Sequence, residues 1–420
     1  MATNAKNLAE LLNTDTTVAV GDIADGSVTT AKLADGGVTT AKVANDAVTG
    51  AKLFAENLGR RNLIINGAMQ IAQRGTSSTA SGIQTVDRWK VQRSGDVTQS
   101  QEDLSSSDTP YSYGFRKALK LLNTSNANAG GTYAQIFQII EAQNVASSGW
   151  NYTSSSSYIT VQFWVKSSLA GTYSGFLRSN DGTQKNYSFD FVLVADTWKH
   201  VTVTVPGDSG LTFNHDSGNG LDLFIVPYYG TDLTTSGHTD EAWQTYSGSD
   251  ITGDYAQNWK NTSNATFFVT GAQIEVNDTS TPFEHLSFGE DLSLCHRYTF
   301  ALQGSGDPLG SKGGAAIVSG ARGFWGFGSA HNSANPVVWM EMPTVMRGAP
   351  SLTVSDNGHF DFDRGWAALR TSTSTVVQTL RGSSKTMAII MNVVSGLSNG
   401  DAGNMSANNS AAYMIFDSEI

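Results

Sequence analysis

The stretch Tyr158-Ile-Thr-Val-Gln-Phe-Trp-Val-Lys166 alternates residue by residue, with Ile159, Val161, Phe163 and Val165 on one side and Thr160, Gln162, Trp164 and Lys166 on the other. Successive side chains of a β-strand point to opposite faces, so a period of two predicts a strand with one face in a core. The pattern recurs on both flanks. Residues 185–194 place Tyr187, Phe189, Phe191 and Leu193 on one side, after the hairpin signal Asn180-Asp181-Gly182. Trp198-Lys-His-Val-Thr-Val-Thr-Val-Pro206 sets Val201, Val203 and Val205 against threonines and stops at a proline. Residues 221–227 and 266–270 supply two more runs. Short alternating runs between Gly, Asn, Asp and Ser clusters predict antiparallel sheets packed as a sandwich. One helix stands out at residues 290–298, where Ser287 and Glu290 form a capping box and Leu292, Cys295 and Tyr298 share a face. It is expected to mark a boundary. Beyond it, runs such as Ala315-Ala-Ile-Val318, Val337-Val-Trp-Met340 and residues 387–394 predict further short strands.

The first sixty residues have a different texture. Asn4 can cap a short helix over residues 5–12, whose Leu8, Leu11 and Leu12 line one face suited to docking. A ten-residue repeat then runs through residues 25–34, 35–44 and 45–54, with one aliphatic residue every five positions from Val18 to Leu63. That step matches neither helix nor strand, and one chain cannot bury so thin a stripe. Repeats that cannot close a core alone stack or join copies of themselves, so a fibrous shaft is expected, with Val28, Leu33, Val38, Val43, Val48 and Leu53 as rungs where three chains meet. A flexible linker is the other reading. The resulting expectation is an all-β homotrimer in three parts: docking helix and shaft over 1–58, a jelly-roll-like β-sandwich over 59–298, and a C-terminal β domain over 299–420, the distal tip.

Composition limits what such a chain can do. It has 420 residues, 39% hydrophobic and 15% charged, which suits a folded protein of two or three domains. Its 37 carboxylates against 26 Lys and Arg give a net charge of −11, which disfavours nucleic acid as a partner. A single cysteine, Cys295, allows no intrachain disulfide and no cysteine-based zinc cluster. No apolar segment follows the first residues and no window reaches the ~18 apolar residues of a membrane span, so a chain made in a cytoplasm and not membrane-spanning is expected.

Motifs for catalysis are sparse, and no cofactor or enzymatic activity is predicted. The seven histidines form no His-x-x-x-His pair. Cys295 beside His296 suggests a thiol nucleophile, but it shares a helix face with Leu292 and Tyr298, which favours a buried, inert cysteine. Asp361 and Asp363 after Asp356-Asn-Gly358 could hold calcium, though a turn followed by a strand with solvated acids accounts for them better. Gly323-Phe-Trp-Gly-Phe-Gly328 matches no phosphate loop, and tight strand turns account for it. The separation that identifies glycosidase carboxylates is three-dimensional, which leaves a capsule-degrading activity open. Sugar binding needs only exposed aromatic faces with polar groups around them. Tyr228, Tyr229, Trp243, Tyr246, Tyr255 and Trp259 lie in a polar, strand-poor segment and are the candidate ligand platform. The same rings could instead pin the loop to the sandwich edge or pack between subunits. Trp164 divides between ligand platform, trimer interface and a bulge returning it to the core.

Four stretches resemble bacteriophage tail-fibre proteins, particularly of viruses infecting cyanobacteria. They are Asn62-Leu-Ile-Ile-Asn-Gly-Ala-Met-Gln-Ile-Ala-Gln-Arg-Gly75; Asp87-Arg-Trp89; Thr270-Gly-Ala-Gln-Ile-Glu-Val276, with Thr281-Pro-Phe-Glu284 and Leu294-Cys-His-Arg-Tyr298; and Pro343-Thr-Val-Met-Arg-Gly-Ala-Pro350. The Val-Thr-Thr-Ala-Lys repeat is similar to the leader of such fibres. The resemblance implies a virion-borne homotrimer, its N-terminus on a tail or adaptor protein and its C-terminus toward a host-surface glycan such as lipopolysaccharide. A tailspike depolymerase and a head or baseplate decoration protein are the rival readings. The middle part also resembles jelly-roll carbohydrate-binding modules, although Met69-Gln70 stands where many carry Phe-Glu, a departure that leaves the calcium site built from that carboxylate open.

Overall fold

The computed structural model describes residues 61–303, 324–364, 369–393, 396–407, 409 and 411–419. The expected docking helix, the shaft rungs Val28, Leu33, Val38, Val43, Val48 and Leu53, and the run 315–318 lie outside the described residues.

Among the described residues twelve strands precede the helix Phe288–Cys295: β1 (Ser77–Ser78), β2 (Lys90–Arg93), β3 (Val97–Asp103), β4 (Lys117–Asn123), β5 (Tyr133–Glu141), β6 (Tyr158–Ser167), β7 (Gly171–Ser179), β8 (Lys185–Leu193), β9 (Lys199–Pro206), β10 (Asn219–Tyr229), β11 (Trp243–Thr245) and β12 (Thr266–Glu275). They pair antiparallel into two six-stranded sheets, ordered β1-β3-β4-β12-β6-β9 and β11-β8-β7-β10-β5-β2. The apolar sides of β6 and β8 meet between the sheets. Ile159, Val161, Phe163 and Val165 have no exposed surface, and Tyr187, Phe189, Phe191 and Leu193 pack in the same cluster. Each fully buried ring or branched chain there contributes about 1.5–3 kcal/mol, which fixes the register, since a one-residue slip would turn the whole row outward.

The other side of β6 is covered as well, because residues 104–116 fold over the first sheet. Trp164 is 8% exposed in a cluster with Phe115 and Trp198, its ring stacked 4.9 Å from His200 and tilted against Tyr113 at 5.1 Å. It stays on the polar side of the strand and becomes part of a second, smaller core.

The motif stretches knit one end of the sandwich together. Asn62 donates to the Ala272 carbonyl at 3.1 Å and accepts from the Ile274 N–H at 3.1 Å, joining the first stretch to the third. At Asn66-Gly67 the chain turns with Asn66 at φ 56°, and a Cβ on Gly67 would sit 2.1 Å from the Ala272 oxygen, so only glycine fits. Trp89, fully buried, donates to the Asn66 carbonyl at 3.0 Å. The Met69 and Gln70 carbonyls accept from the Gln101 amide at 2.7 and 3.0 Å.

The helix runs Phe288–Cys295 rather than over 290–298: it begins directly after the Ser287 cap of the expected Ser287–Glu290 capping box and ends before Tyr298, which still packs with Cys295 against Ile65 and Ile71. Complete burial pushes the Cys295 thiol well above its usual range, so it is inert at neutral pH. The chain then enters β13 (Thr299–Gln303), followed by β14 (Phe324–Ala330), β15 (Pro336–Glu341), β16 (Ser351–Val354), β17 (Phe360–Asp363), β18 (Leu369–Gly382), β19 (Thr386–Val393), β20 (Ala402–Ala407) and β21 (Tyr413–Asp417). Three form a sheet in the order β13-β21-β16, and six close a barrel in the order β14-β15-β19-β18-β17-β20. Its interior holds Met340, Met387, Met391, Met405, Phe360 and Phe362.

Two expectations are corrected here. The glycine-rich run from Phe324 is a strand rather than a set of turns: its glycines lie where β14 crosses β15 closely, and a Cβ at Gly328 would be 2.0 Å from the Val337 oxygen. Asp356 does cap a turn ahead of β17, accepting from the Gly358 N–H at 2.8 Å, but Asp361 is buried rather than solvated.

An ionic joint ties the last strand to the sandwich. Arg74 meets Asp417 at 2.9 Å and Glu419 at 3.6 Å, Arg88 pairs with Glu419, and Arg347 donates to the Ser418 and Glu419 carbonyls and, at 3.2 Å, to Ser217.

Candidate functional site

Tyr228 and Tyr229 end β10 itself, and the chain that follows, with Tyr246 and Tyr255, folds over the outer face of the second sheet. Phe176, Phe224 and Phe137 are cross-strand neighbours on that face and stack as a ladder, with centroids 4.2 and 4.5 Å apart and planes within 7° and 18°. The covering segment closes over them: Ile251 and Tyr229 are buried in the same cluster, with Tyr246 and Tyr255 at its margin. Arg178 lies 5.0 Å from the Phe224 centroid and 5.2 Å from Tyr246, and pairs at 2.7 Å with Asp222. Burial raises the Asp222 carboxyl above its usual range against the pull of Arg178.

The six rings therefore do not form one platform. Trp259 has no exposed surface: it lies in the core between the sheets and donates to the Thr266 carbonyl at 3.2 Å. Tyr229 is 3% exposed and hydrogen-bonded to Gln135, with burial pushing its phenol well up. A pyranose stacks on a free ring face, which neither of these offers. Trp243 is half-buried; its indole donates to the Pro206 carbonyl at 2.7 Å and packs 5.5 Å from Tyr187, pinning β11 to the sheet edge. Tyr228 and Tyr255 are part-exposed and pack on each other at 5.8 Å, and Tyr246 is part-exposed over Arg178. Ring type and loop composition were legible in the sequence, but not which side of the loop each ring would take.

A second fastening holds the same segment. His238, its side chain 1% exposed, meets Asp250 at 2.7 Å through Nδ1 and the Ser188 hydroxyl at 2.7 Å through Nε2, with Asp240 at 3.9 Å. Serine, histidine and carboxylate in this order match a nucleophilic triad. Ser188, however, sits inside β8 with no exposed surface, paired across to Phe176, so in this arrangement the trio ties the segment to the sheet.

Open aromatic surface lies on the C-terminal barrel instead. Phe327 on β14 and Trp339 on β15 are cross-strand partners, 72% and 55% exposed. The row continues to Asn404 beside Phe327 and Ala388 beside Trp339; the next outward row contains Ser329, Val337 and Ile390. Glu341 and Lys385 pair at 3.3 Å at one end. Two adjoining rings with amide, hydroxyl and charged groups around them offer stacking area and hydrogen-bonding edges. The alternation Val337-Val-Trp-Met340 carried the signal for Trp339: Val338 and Met340 turn inward, so Trp339 must turn out. Phe327 was obscured by the glycines on either side of it.

No family model matches this chain, and no curated protein matches it. Solved structures resemble about half of it. A Bacteroides thetaiotaomicron protein described as sugar-binding is 11% identical with a TM-score of 0.30, over 52% of this chain and 100% of its own. The family 11 carbohydrate-binding module of Clostridium thermocellum, in complex with a β-1,3-1,4-mixed-linked tetrasaccharide, is 12% identical with a TM-score of 0.25, over 50% and 99%. A cyclase from Fischerella sp. in its apo form is 10% identical with a TM-score of 0.30, over 53% and 98%.

Proposed function

We propose that this chain is an adhesion protein, a tail fibre of a bacteriophage, that holds the particle on a host-surface glycan such as lipopolysaccharide without cleaving it. The observation that carries the reading is the outward pair Phe327 and Trp339, two large rings at 72% and 55% exposure on adjacent strands of the domain farthest along the chain from the repeat. Rings so exposed forgo the burial that stabilises Phe and Trp elsewhere, and a ligand that stacks on them recovers it. The leader repeat and the four motif stretches support the viral assignment. In this reading the repeat assembles three chains, the N-terminus joins the virion, and three weak glycan sites act together, so that millimolar single-site affinity suffices to hold a particle.

The test is to incubate the full chain with immobilised lipopolysaccharide and capsular polysaccharide from a panel of cyanobacteria, measuring retained protein and new reducing ends in the same wells. Retention on some members with no reducing ends is expected. Absence of retention on every member, or steady release of oligosaccharide, would contradict it.

A further inference from the structure

Lys260 and Asn123 are each fully buried, and the Lys260 Nζ lies 2.8 Å from the Asn123 Oδ1. With a carbonyl bond of about 1.2 Å, the Asn123 Cγ is within about 4 Å of that nitrogen. Asn123 is the last residue of β4, and Lys260 lies in the short 3-10 turn Trp259–Asn261 ahead of β12, the strand that pairs with β4. The contact therefore joins the two segments at one end of adjacent strands.

The groups around the pair have an unusual balance. Four carbonyl oxygens converge on the Asn123 Nδ2: Ser125 at 2.8 Å, Thr262 at 2.9 Å, Lys260 at 3.0 Å and Trp259 at 3.1 Å. A carboxamide nitrogen has two hydrogens to give them, whereas ammonium has four. On the other side of the amide, Oδ1 faces the Ser125 hydroxyl at 3.3 Å and the Ser125 N–H at 3.4 Å, donors placed to take up negative charge on that oxygen when the Lys260 amine attacks. The Ser125 hydroxyl is also 2.6 Å from the Lys260 Nζ, so it touches both nucleophile and carbonyl.

From this geometry we propose that Lys260 and Asn123 form an intramolecular isopeptide bond. The neutral Lys260 amine attacks Cγ of Asn123; the Nζ–Cγ bond forms, the Cγ–Nδ2 bond breaks, and one proton is transferred from Nζ to the departing Nδ2, with the Ser125 hydroxyl, 2.6 Å from Nζ, placed to take it up from the nucleophile. Ammonia leaves into the carbonyl cage, and no oxidant or reductant is needed. Burial, with the nearby Arg93 charge, brings the Lys260 amine down to about 8, so on the order of a tenth of it is unprotonated at pH 7, enough for a single slow self-reaction. The product closes a covalent loop across a sequence separation of 137 residues, containing β5 to β11, so a pull on the chain would not draw those strands out.

Intact-mass measurement of the full chain tests this, followed by tryptic mapping. The expected result is a mass about 17 Da below the sequence mass, the weight of one ammonia, with the peptides containing Asn123 and Lys260 recovered as one branched species. Asn123→Ala and Lys260→Arg should each restore the full mass for their sequence, and the wild type should run faster than either in denaturing gels. A folded wild type at full mass would overturn the proposal. So would a deficit that maps elsewhere, as to a succinimide at Asn357-Gly358.

Discussion

The Trp243 indole stands 5.5 Å from the Tyr187 ring and donates to the Pro206 carbonyl at 2.7 Å, which makes it a clasp between the covering segment and the sheet edge. Removing it should loosen that segment without unfolding the sandwich. Trp243→Ala is expected to cost about 1–3 kcal/mol in thermal or denaturant melts and to speed limited proteolysis within residues 230–258. Glycan retention by the barrel should be unchanged, a result that separates clasp from ligand platform.

Trp259→Ala should behave differently, because the ring is enclosed between the sheets. A loss of about 3–5 kcal/mol is expected, read as a lower melting temperature for the whole chain from Gly59 onward. A near-neutral effect would place the ring outside the core.

These two residues show where sequence reading ends. Alternation exposed the strands because burial on one face imposes a period of two, as in Ile159 to Val165, and the Ser287–Glu290 spacing fixed the helix start because a capping box needs that separation. A loop has no period. Trp243 and Trp259 share a composition and a neighbourhood in sequence, and only the path of the backbone puts one at an edge and the other in the core. Phe327 lay in a strand whose glycines imitate a turn, so the open aromatic row was half legible, through Trp339 alone.

The joint between sandwich and C-terminal strands depends on buried charges that balance one another. Arg88 is 3% exposed and is paired with Glu419 while stacking 3.5 Å from the Tyr298 ring centroid. Glu419→Gln leaves that guanidinium buried without its counter-charge, and about 3 kcal/mol of stability should be lost. Calorimetry should show the loss, whereas replacing an exposed acid such as Asp103 should change little.

Stability should fall on mild acidification, and His296 gives the sign. Burial alone lowers its imidazole from the usual 6.5 to about 4, so between these values the unfolded chain binds a proton that the folded chain refuses. Its contribution is whole above pH 6.5 and is lost as pH drops toward 4, by up to about 3 kcal/mol. Comparing melts at pH 7 and pH 5 for the wild type and His296→Gln should show a smaller drop for the variant. An equal drop would assign the effect to other groups.

The trimer reading rests on the five-residue register. If Val38 is a rung, Val38→Asp puts three carboxylates in one apolar layer, which is costly unless they protonate or the shaft opens. Light scattering should give about three chain masses for the wild type and fewer for the variant; a wild type at one chain mass would contradict the shaft.

The central claim, that the exposed pair on the barrel holds the host glycan, is tested most directly by titrating Trp339→Ala and Phe327→Ala against immobilised lipopolysaccharide that retains the wild type. Both side chains are more than half exposed, so both variants should melt within about 1 kcal/mol of the wild type. Each should nevertheless lose about tenfold or more in affinity, the ~1.4 kcal/mol expected of one stacked ring. Unchanged affinity in both variants, with folding intact, would contradict the account and move the binding site off the barrel.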